Sequence, residues 1–180
     1  MLSHGVIESS DSWQDVVPAL ADHFRVELHD ARGRGRSGFG GAPFSYPDLA
    51  EDVEALARHL ELGPFFHVGH SMGGRVALEH ALAHPDRVRG LAVVSARAEA
   101  PDEAGRGRLR DLAAHTRAEG TGVAVEMWAK PEEPGHERAR TISEANPLEG
   151  TLAALAALVD NGLTAAPTRG HPRPHYRDRG

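Results

Sequence analysis

The sequence predicts an α/β fold with a mostly parallel sheet flanked by helices. From residue 13 to residue 94, segments with helical periodicity alternate with short apolar segments of strand type, and this alternation is typical of parallel sheets. Two of the predicted strands run directly into glycine-rich stretches. With 180 residues, 40% of them apolar, the chain is long enough for one domain with a sizeable core.

The first part of the chain gives the order helix, strand, helix. Ser12 predicts the N-cap of a helix whose apolar residues begin at Trp13. The alternating segment 24–28 predicts a short strand. Ser45 carries a second capping pattern, and we expect the helix that it opens to stop near Gly63.

The next part gives strand, helix, strand. Apolar runs at 65–68 and 88–94 predict buried strands, and the helix between them ends at Pro85. Residues 96–108 are charged and contain glycine, so we expect a loop there. Short helical patterns follow, and Asn146 predicts the N-cap of a last helix.

Composition excludes several classes of function. The chain has no cysteine, which excludes disulfide scaffolds, thiolate zinc sites and a cysteine nucleophile. A net charge of −6 gives no reason to expect nucleic-acid binding. No window approaches the ~20 apolar residues of a membrane span, and the N-terminus does not resemble a signal peptide. We therefore expect a cytoplasmic protein with a small-molecule substrate and no membrane partner.

One motif has the pattern of a catalytic nucleophile. Residues 69–73, Gly-His-Ser-Met-Gly, match the pattern G-x-S-x-G and lie between a predicted buried strand and a predicted helix. In such a turn a strained serine is pushed out above the sheet, and the glycines on both sides let backbones pass closely. The N-terminus of the helix behind Ser71 supplies positive potential for a developing oxyanion.

Together with two further motifs, this segment resembles the α/β-hydrolase fold family, in its single-domain serine esterase and lipase-like branch. The further motifs are His4-Gly5 after a short strand, and the segment 30–37 with the pattern Asp-x-Arg-Gly-x-Gly-x-Ser. The resemblance runs from His4 to about residue 158. It implies a sheet containing the family's strands in the order 4-3-5-6, which leaves the chain truncated at both ends.

The resemblance implies a role for each matching residue. Ser71 is the expected nucleophile, which acts on an ester, lactone or related carbonyl through an acyl-Ser71 intermediate. The backbone N–H groups of Val6 and Met72 are the expected oxyanion hole. Independently of the resemblance, Met127 and Trp128 are candidates for the substrate pocket, with packing within the cap as the alternative. The residues expected to support the motifs are His4, Gly5, Gly69, Gly73, Asp30 and Arg32.

The resemblance also divides the chain. We expect a partial core over residues 1–95, a helical cap over 96–145, and a helix returning to the core over 146–163. Residues 164–180 are expected to be irregular. Read one nucleotide later, their codons permit a strand-like segment, so an out-of-frame tail is one hypothesis.

The catalytic acid and histidine that the family places after the serine are not recognisable in this sequence. A serine without its base is a poor nucleophile, so activity is expected to be impaired. The alternative is a non-catalytic truncated or frameshifted fragment, or a ligand-binding shell. Sheet edges left open in such a chain invite self-association.

Two other patterns have simpler interpretations. Gly33-x-Gly35-x-x-Gly38 matches the dinucleotide fingerprint, but no helix is predicted to start within it, and its arginines suggest a solvated loop. His80 and His84 are spaced for one helix face and are interpreted as a surface pair, since no third metal ligand is evident. The sequence implies neither a metal nor an organic cofactor.

Overall fold

The computed structural model describes residues 1–159. The expectations for residues 160–180, namely the end of the helix expected over 146–163 and the out-of-frame tail, lie outside the described residues.

A small parallel sheet forms the centre of the molecule. Its strands are β1 (Leu2–Ser3), β2 (Phe65–His70) and β3 (Val88–Val94), in that spatial order. Leu2 also forms an isolated parallel bridge with Leu28. The resulting order, in which the segment at Leu28 precedes the three strands, confirms the predicted 4-3-5-6 block.

The predicted strand over 24–28 is wrong in extent. Only Leu28 pairs, through its bridge to Leu2 and a hydrogen bond from Leu2 N–H to the carbonyl oxygen of Glu27 (2.9 Å). The neighbouring β1 is two residues long and offers little edge to extend the pairing. Phe24 is 54% exposed, so alternation alone did not create a buried strand here.

Seven α-helices surround the sheet within the described residues. Two 3-10 turns, Ser10–Trp13 and Pro85–Arg87, precede α1 and β3 respectively. No helix within residues 1–159 is long and apolar enough to span a membrane. The helices are α1 (Val17–Ala21), α2 (Tyr46–His59), α3 (Met72–Ala83), α4 (Glu103–Glu119), α5 (Val123–Trp128), α6 (His136–Glu144) and α7 (Leu148–Val159).

Capping chemistry explains where two of these segments begin. Ser45 and Asp48 form the predicted capping box at the start of α2, although the helix already ends before Gly63. The predicted cap at Ser12 is wrong, because Ser9 caps the 3-10 turn through the N–H of Asp11.

The predicted loop over 96–108 is also wrong in its second half. Asp102 accepts a hydrogen bond from the N–H of Gly105 (2.7 Å), and this cap starts α4 at Glu103 despite the glycines that follow. Helix α6 was not predicted, because its residues are mostly polar and have no apolar period; only His136 and Ser143 are buried in it.

Helix α3 packs against all three strands and against α2. The buried apolar core contains residues of α2, α3, α4, α5 and α7. Strand β3 pairs with β2 alone within residues 1–159. It was predicted to be buried, but Leu91 and Val94 are 39% and 47% exposed. The apolar run of β3 therefore lies at an open edge of the described sheet.

Candidate active site

Ser71 occupies the sharp turn between β2 and α3. Its φ is +51° and its ψ is −116°, in a region that non-glycine residues rarely adopt. The N–H of Ser71 donates to the carbonyl oxygen of Val94 at the end of β3 (2.8 Å), which fixes the turn to the neighbouring strand. Because this turn reverses the chain at the carboxyl end of β2, Ser71 lies above the sheet.

The glycines around Ser71 are required by close contacts between backbones. A Cβ on Gly69 would overlap the carbonyl oxygen of Gly73, and a Cβ on Gly73 would overlap the carbonyl oxygen of Ser3. The first turn of α3 therefore lies directly against the end of β1. The spacing of the motif thus brings the segment around His4 next to the turn that carries Ser71.

A cavity of about 430 Å³ opens at this turn. Ser71 and Met72 line it from the turn, Ser95 lines it from the end of β3, and Leu109 lines it from α4. Ser95 also has a positive φ, +52°. The cavity therefore lies where β2, β3, α3 and α4 meet.

Arg75 builds one wall of this cavity from the first turns of α3. Its guanidinium Nη1 donates to the carbonyl oxygen of Ala98 (2.8 Å), and the group lies 5.3 Å from the centre of the Tyr46 ring. Its Nε forms an ion pair with Glu79 (3.6 Å), and the side chain is almost fully buried. Arg75 thus holds the segment after β3 over the turn.

His4 fixes the segment that follows β1. Its Nδ1 donates to the carbonyl oxygen of Gly5 (2.8 Å), and its Nε2 accepts from the N–H of Ala31 (3.0 Å). Burial lowers the pKa of His4, which favours the neutral ring that these two bonds require. His4 therefore joins the segment at Gly5 to the glycine-rich loop.

Glu8 and Asn146 were not predicted to belong to the site, but both bind the segment that follows β1. Glu8 accepts the N–H of Gly5 and contacts the ring of His70. Asn146 accepts the N–H of Gly35 and donates to the carbonyl oxygens of Ile7 and Glu8. Its predicted capping role gave no signal for these partners, which lie more than a hundred residues away in the chain.

The glycine-rich loop is held by polar contacts and contains no helix. Asp30 accepts the N–H groups of Ser10 and Arg36 (2.7 and 2.9 Å), and Arg32 forms a bidentate pair with Asp52 (both 2.6 Å). The absence of a helix agrees with the interpretation that the fingerprint is not a dinucleotide site.

The interpretation of the loop arginines as a solvated face is wrong for Arg34. Its side chain is fully buried, where it donates to Thr151 Oγ1 (2.7 Å) and to the carbonyl oxygen of Gly33 (3.1 Å). Burial lowers the pKa of Arg34 to about 9. Helix α7 covers this arginine, and the local sequence could not reveal that contact.

The interpretation of His80 and His84 as a surface pair is wrong for His80. That residue is fully buried, stacks on Phe65 and contacts Glu54 through Nε2 (3.3 Å). His84 bonds to Glu51 instead (2.7 Å). Within residues 1–159, no group of three or more histidine and carboxylate side chains could hold a metal ion.

Other predicted site residues are not brought together with Ser71. Met127 and Trp128 do not line the cavity and are 44% and 52% exposed. Two carboxylates, Glu99 and Asp102, do line it, but no histidine of the described chain does so. Asp102 is already engaged as the cap of α4.

The sequence profile described as alpha/beta hydrolase fold matches residues 1–118. The chain belongs to this family. Among its curated relatives is a putative carbamate hydrolase RutD from Serratia proteamaculans, 39% identical over 97 residues, with 53% of this chain and 36% of the relative covered. Another is a pimeloyl-[acyl-carrier protein] methyl ester esterase from Edwardsiella ictaluri, 40% identical over 95 residues (53% and 35% covered).

Solved hydrolase structures of the family superpose well on the chain. A thermophilic esterase from Thermogutta terrifontis gives a TM-score of 0.82 at 28% identity, covering 91% of this chain and 64% of the esterase. The enol-lactonase from Burkholderia xenovorans LB400 gives 0.81 at 25% identity (90% and 65% covered). The matches span about a third of the length of the curated relatives and about two thirds of these structures.

Proposed function

We propose that this α/β-hydrolase acts as a serine hydrolase on an ester, lactone or related carbonyl substrate. The observation that carries the proposal is the strained backbone of Ser71, whose φ is +51° in a turn that borders a cavity of about 430 Å³. A strained turn between a strand and a helix is the arrangement that presents the nucleophile in α/β-hydrolases. Further support comes from the related esterase, lactonase and carbamate hydrolase, because esters, lactones and carbamates all contain a carbonyl carbon open to attack.

In the proposed reaction Ser71 Oγ attacks the carbonyl carbon, the bond to the alkoxide oxygen breaks, and the Oγ proton passes to that oxygen, which gives an acyl-serine and an alcohol. Water then cleaves the acyl-serine, which releases the acid and restores the Ser71 hydroxyl. The tetrahedral oxyanion is stabilised by two backbone N–H groups, those of Val6 and Met72. Met72 is the first residue of α3, where a backbone N–H has no acceptor within the helix. The contact between Gly73 and the carbonyl oxygen of Ser3 supports the nearness of the Val6 loop.

We further propose that residues 96–145 act as a cap over a core formed by residues 1–95, with α7 returning to that core. Support comes from α4, whose Arg108 and Leu109 line the cavity opposite Ser71. The shape of this wall would then select the acyl or alcohol group of the substrate.

A second candidate, a ligand-binding shell without turnover, is favoured by one observation. The proton of Ser71 needs a base, and no histidine of residues 1–159 lines the cavity. The two candidates differ in the reactivity of Ser71, because only an activated serine reacts rapidly with an electrophile.

Labelling by a fluorophosphonate, followed by intact-protein mass spectrometry, tests the proposal. We expect one adduct per chain, at least about 100-fold slower in Ser71→Ala. Ser95→Ala is the matched control, because Ser95 lines the same cavity with a similar φ of +52° and should label at the wild-type rate. If the wild type does not label, the catalytic proposal fails and the binding shell is retained.

A further inference from the structure

An ion pair connects the two turns that carry the proposed oxyanion donors. Glu8 Oε2 accepts the N–H of Gly5 at 2.6 Å and lies 3.1 Å from His70 Nδ1, while Oε1 of the same carboxylate is 3.0 Å from Nδ1. The two side chains are 62 residues apart in the chain. The pair therefore joins the loop after β1 to the end of β2.

The positions of the two residues relative to the donors are symmetrical. Glu8 lies two residues after Val6, and His70 lies two residues before Met72. A Cβ on Gly5 would be 3.3 Å from His70 Nδ1, so the loop backbone lies directly against that ring. A shift of either side chain would change the distance between the two turns.

Each of the two side chains favours the charged form of the other. The hydrogen bond that His70 Nδ1 donates to the Glu8 carboxylate raises the pKa of His70 above its ordinary value. Burial acts to raise the pKa of Glu8, but the hydrogen bond and charge of His70 and the N–H of Gly5 lower it overall. Burial lowers the pKa of His4 on the same loop, and the contact from Asn146 to the Glu8 carbonyl is uncharged.

We propose that Glu8 and His70 are positioning residues that set the spacing of the Val6 and Met72 N–H groups, so that both converge on one oxygen. This inference rests on the proposed function. Oxyanion donors must lie about 2.7–3.1 Å from the developing charge, and a displacement of about 1 Å at a reacting centre can cost about 100-fold in rate. The short bond from the Gly5 N–H to the Glu8 carboxylate (2.6 Å) is charge-assisted and restrains this loop more firmly than a neutral contact.

The test compares four variants of Glu8 and His70 with two control variants of another carboxylate–histidine pair. Glu8→Ala and His70→Ala remove the contact, whereas Glu8→Gln and His70→Asn keep a hydrogen-bonding group close to the original atom. Glu51→Ala and His84→Ala are controls, because these residues form a carboxylate–histidine pair of similar length (2.7 Å) on α2 and at the end of α3. Thermal unfolding verifies that each variant folds.

The first measurement is hydrogen exchange of the backbone in the segment 4–8. We expect both alanine variants to exchange at least about tenfold faster there, with α2 unchanged and with partial protection in Glu8→Gln and His70→Asn. The controls should exchange as the wild type does. Unchanged exchange in the alanine variants overturns the inference.

The second measurement is the fluorophosphonate reaction of Ser71, separated into binding and inactivation constants. We expect the inactivation rate constant to fall about 10- to 100-fold in Glu8→Ala and His70→Ala, with little change in the binding constant. A purely structural role would instead weaken both constants or neither, and would overturn the inference. Failure of the wild type to label contradicts the proposed function itself, and that result differs from equal labelling of wild type and variants.

Discussion

The φ of Ser71 is +51°. A backbone conformation of this kind costs of order 1–3 kcal/mol and persists only where the surrounding structure enforces it. Here the enforcement comes from the N–H bond to Val94 and from the absence of side chains at Gly69 and Gly73. The strain is therefore stored by contacts between backbones, which cannot relax as a flexible side chain can.

Gly73→Ala tests this enforcement. Alanine in place of glycine inside a helix would ordinarily stabilise by about 1 kcal/mol, but its Cβ would overlap the carbonyl oxygen of Ser3 in β1. Since that neighbour is backbone, we expect a net loss of about 1–3 kcal/mol in the free energy of unfolding, measured by urea titration. The control is Gly63→Ala, where a Cβ meets nothing within 4 Å. Equal stability of both variants would contradict the close approach.

At the residue scale, the sequence predicted contacts between residues a few positions apart, but it did not predict contacts between residues that are distant in the chain. The box at Ser45 depends on Asp48, three residues away, and was predicted correctly. Arg34 donates a hydrogen bond to Thr151 on α7. Asn146 accepts from the N–H of Gly35 and donates to a carbonyl oxygen of the loop after β1. No pattern of spacing encodes such contacts, because they depend on how α7 docks onto the glycine-rich loop.

At the scale of elements, β1 is held in place by buried polar contacts as well as by its short ladder. Ser3 Oγ lies 2.8 Å from Nε2 of both His29 and His67. A hydroxyl has one proton, so it donates to one ring and accepts from the other. The ring of His67 in turn contacts His80 on α3 (ring centres 5.2 Å apart).

These histidines make stability depend on pH. Burial lowers the pKa of His29 to about 4 and lowers those of His67 and His80. The unfolded chain then binds more protons, so stability is complete above the ordinary histidine pKa of about 6.5 and is lost as pH falls below it. For His29 alone we expect a loss of about 2 kcal/mol from pH 7.5 to pH 5, measured by urea unfolding.

His67→Gln should flatten this dependence, whereas the exposed His59→Gln should not alter it. The raised pKa of His70 has the opposite sign, because its contribution is lost as pH rises through its folded-state pKa. Measurements below pH 6.5 therefore isolate the buried histidines. A stability that is constant from pH 7.5 to pH 5 would contradict the lowered pKa values of these buried histidines, among which His4 also belongs.

At the scale of the whole molecule, the family's sheet order was predictable because each strand–loop–helix unit carries its own motif. The burial of the strands was not predictable from the sequence, because it depends on which other elements cover them. β3 contains seven residues with a single charge, that of Arg89, and pairs with β2 alone in the described chain. Parallel strands are normally covered on both faces, so this edge lacks the devices that prevent strand pairing between molecules.

We therefore expect the chain of 180 residues to self-associate through β3. Leu91→Lys places a charge on this strand, where Leu91 is 39% exposed, and lysine on an edge opposes pairing. Size-exclusion chromatography with light scattering over a range of concentrations should show a mass that rises for the wild type and stays at about 19.3 kDa for the variant. Leu82→Lys on α3, at a similar exposure of 37%, is the control and should associate as the wild type does. If the wild type is monomeric at every concentration, or if Leu82→Lys dissociates it equally well, β3 is not the associating edge.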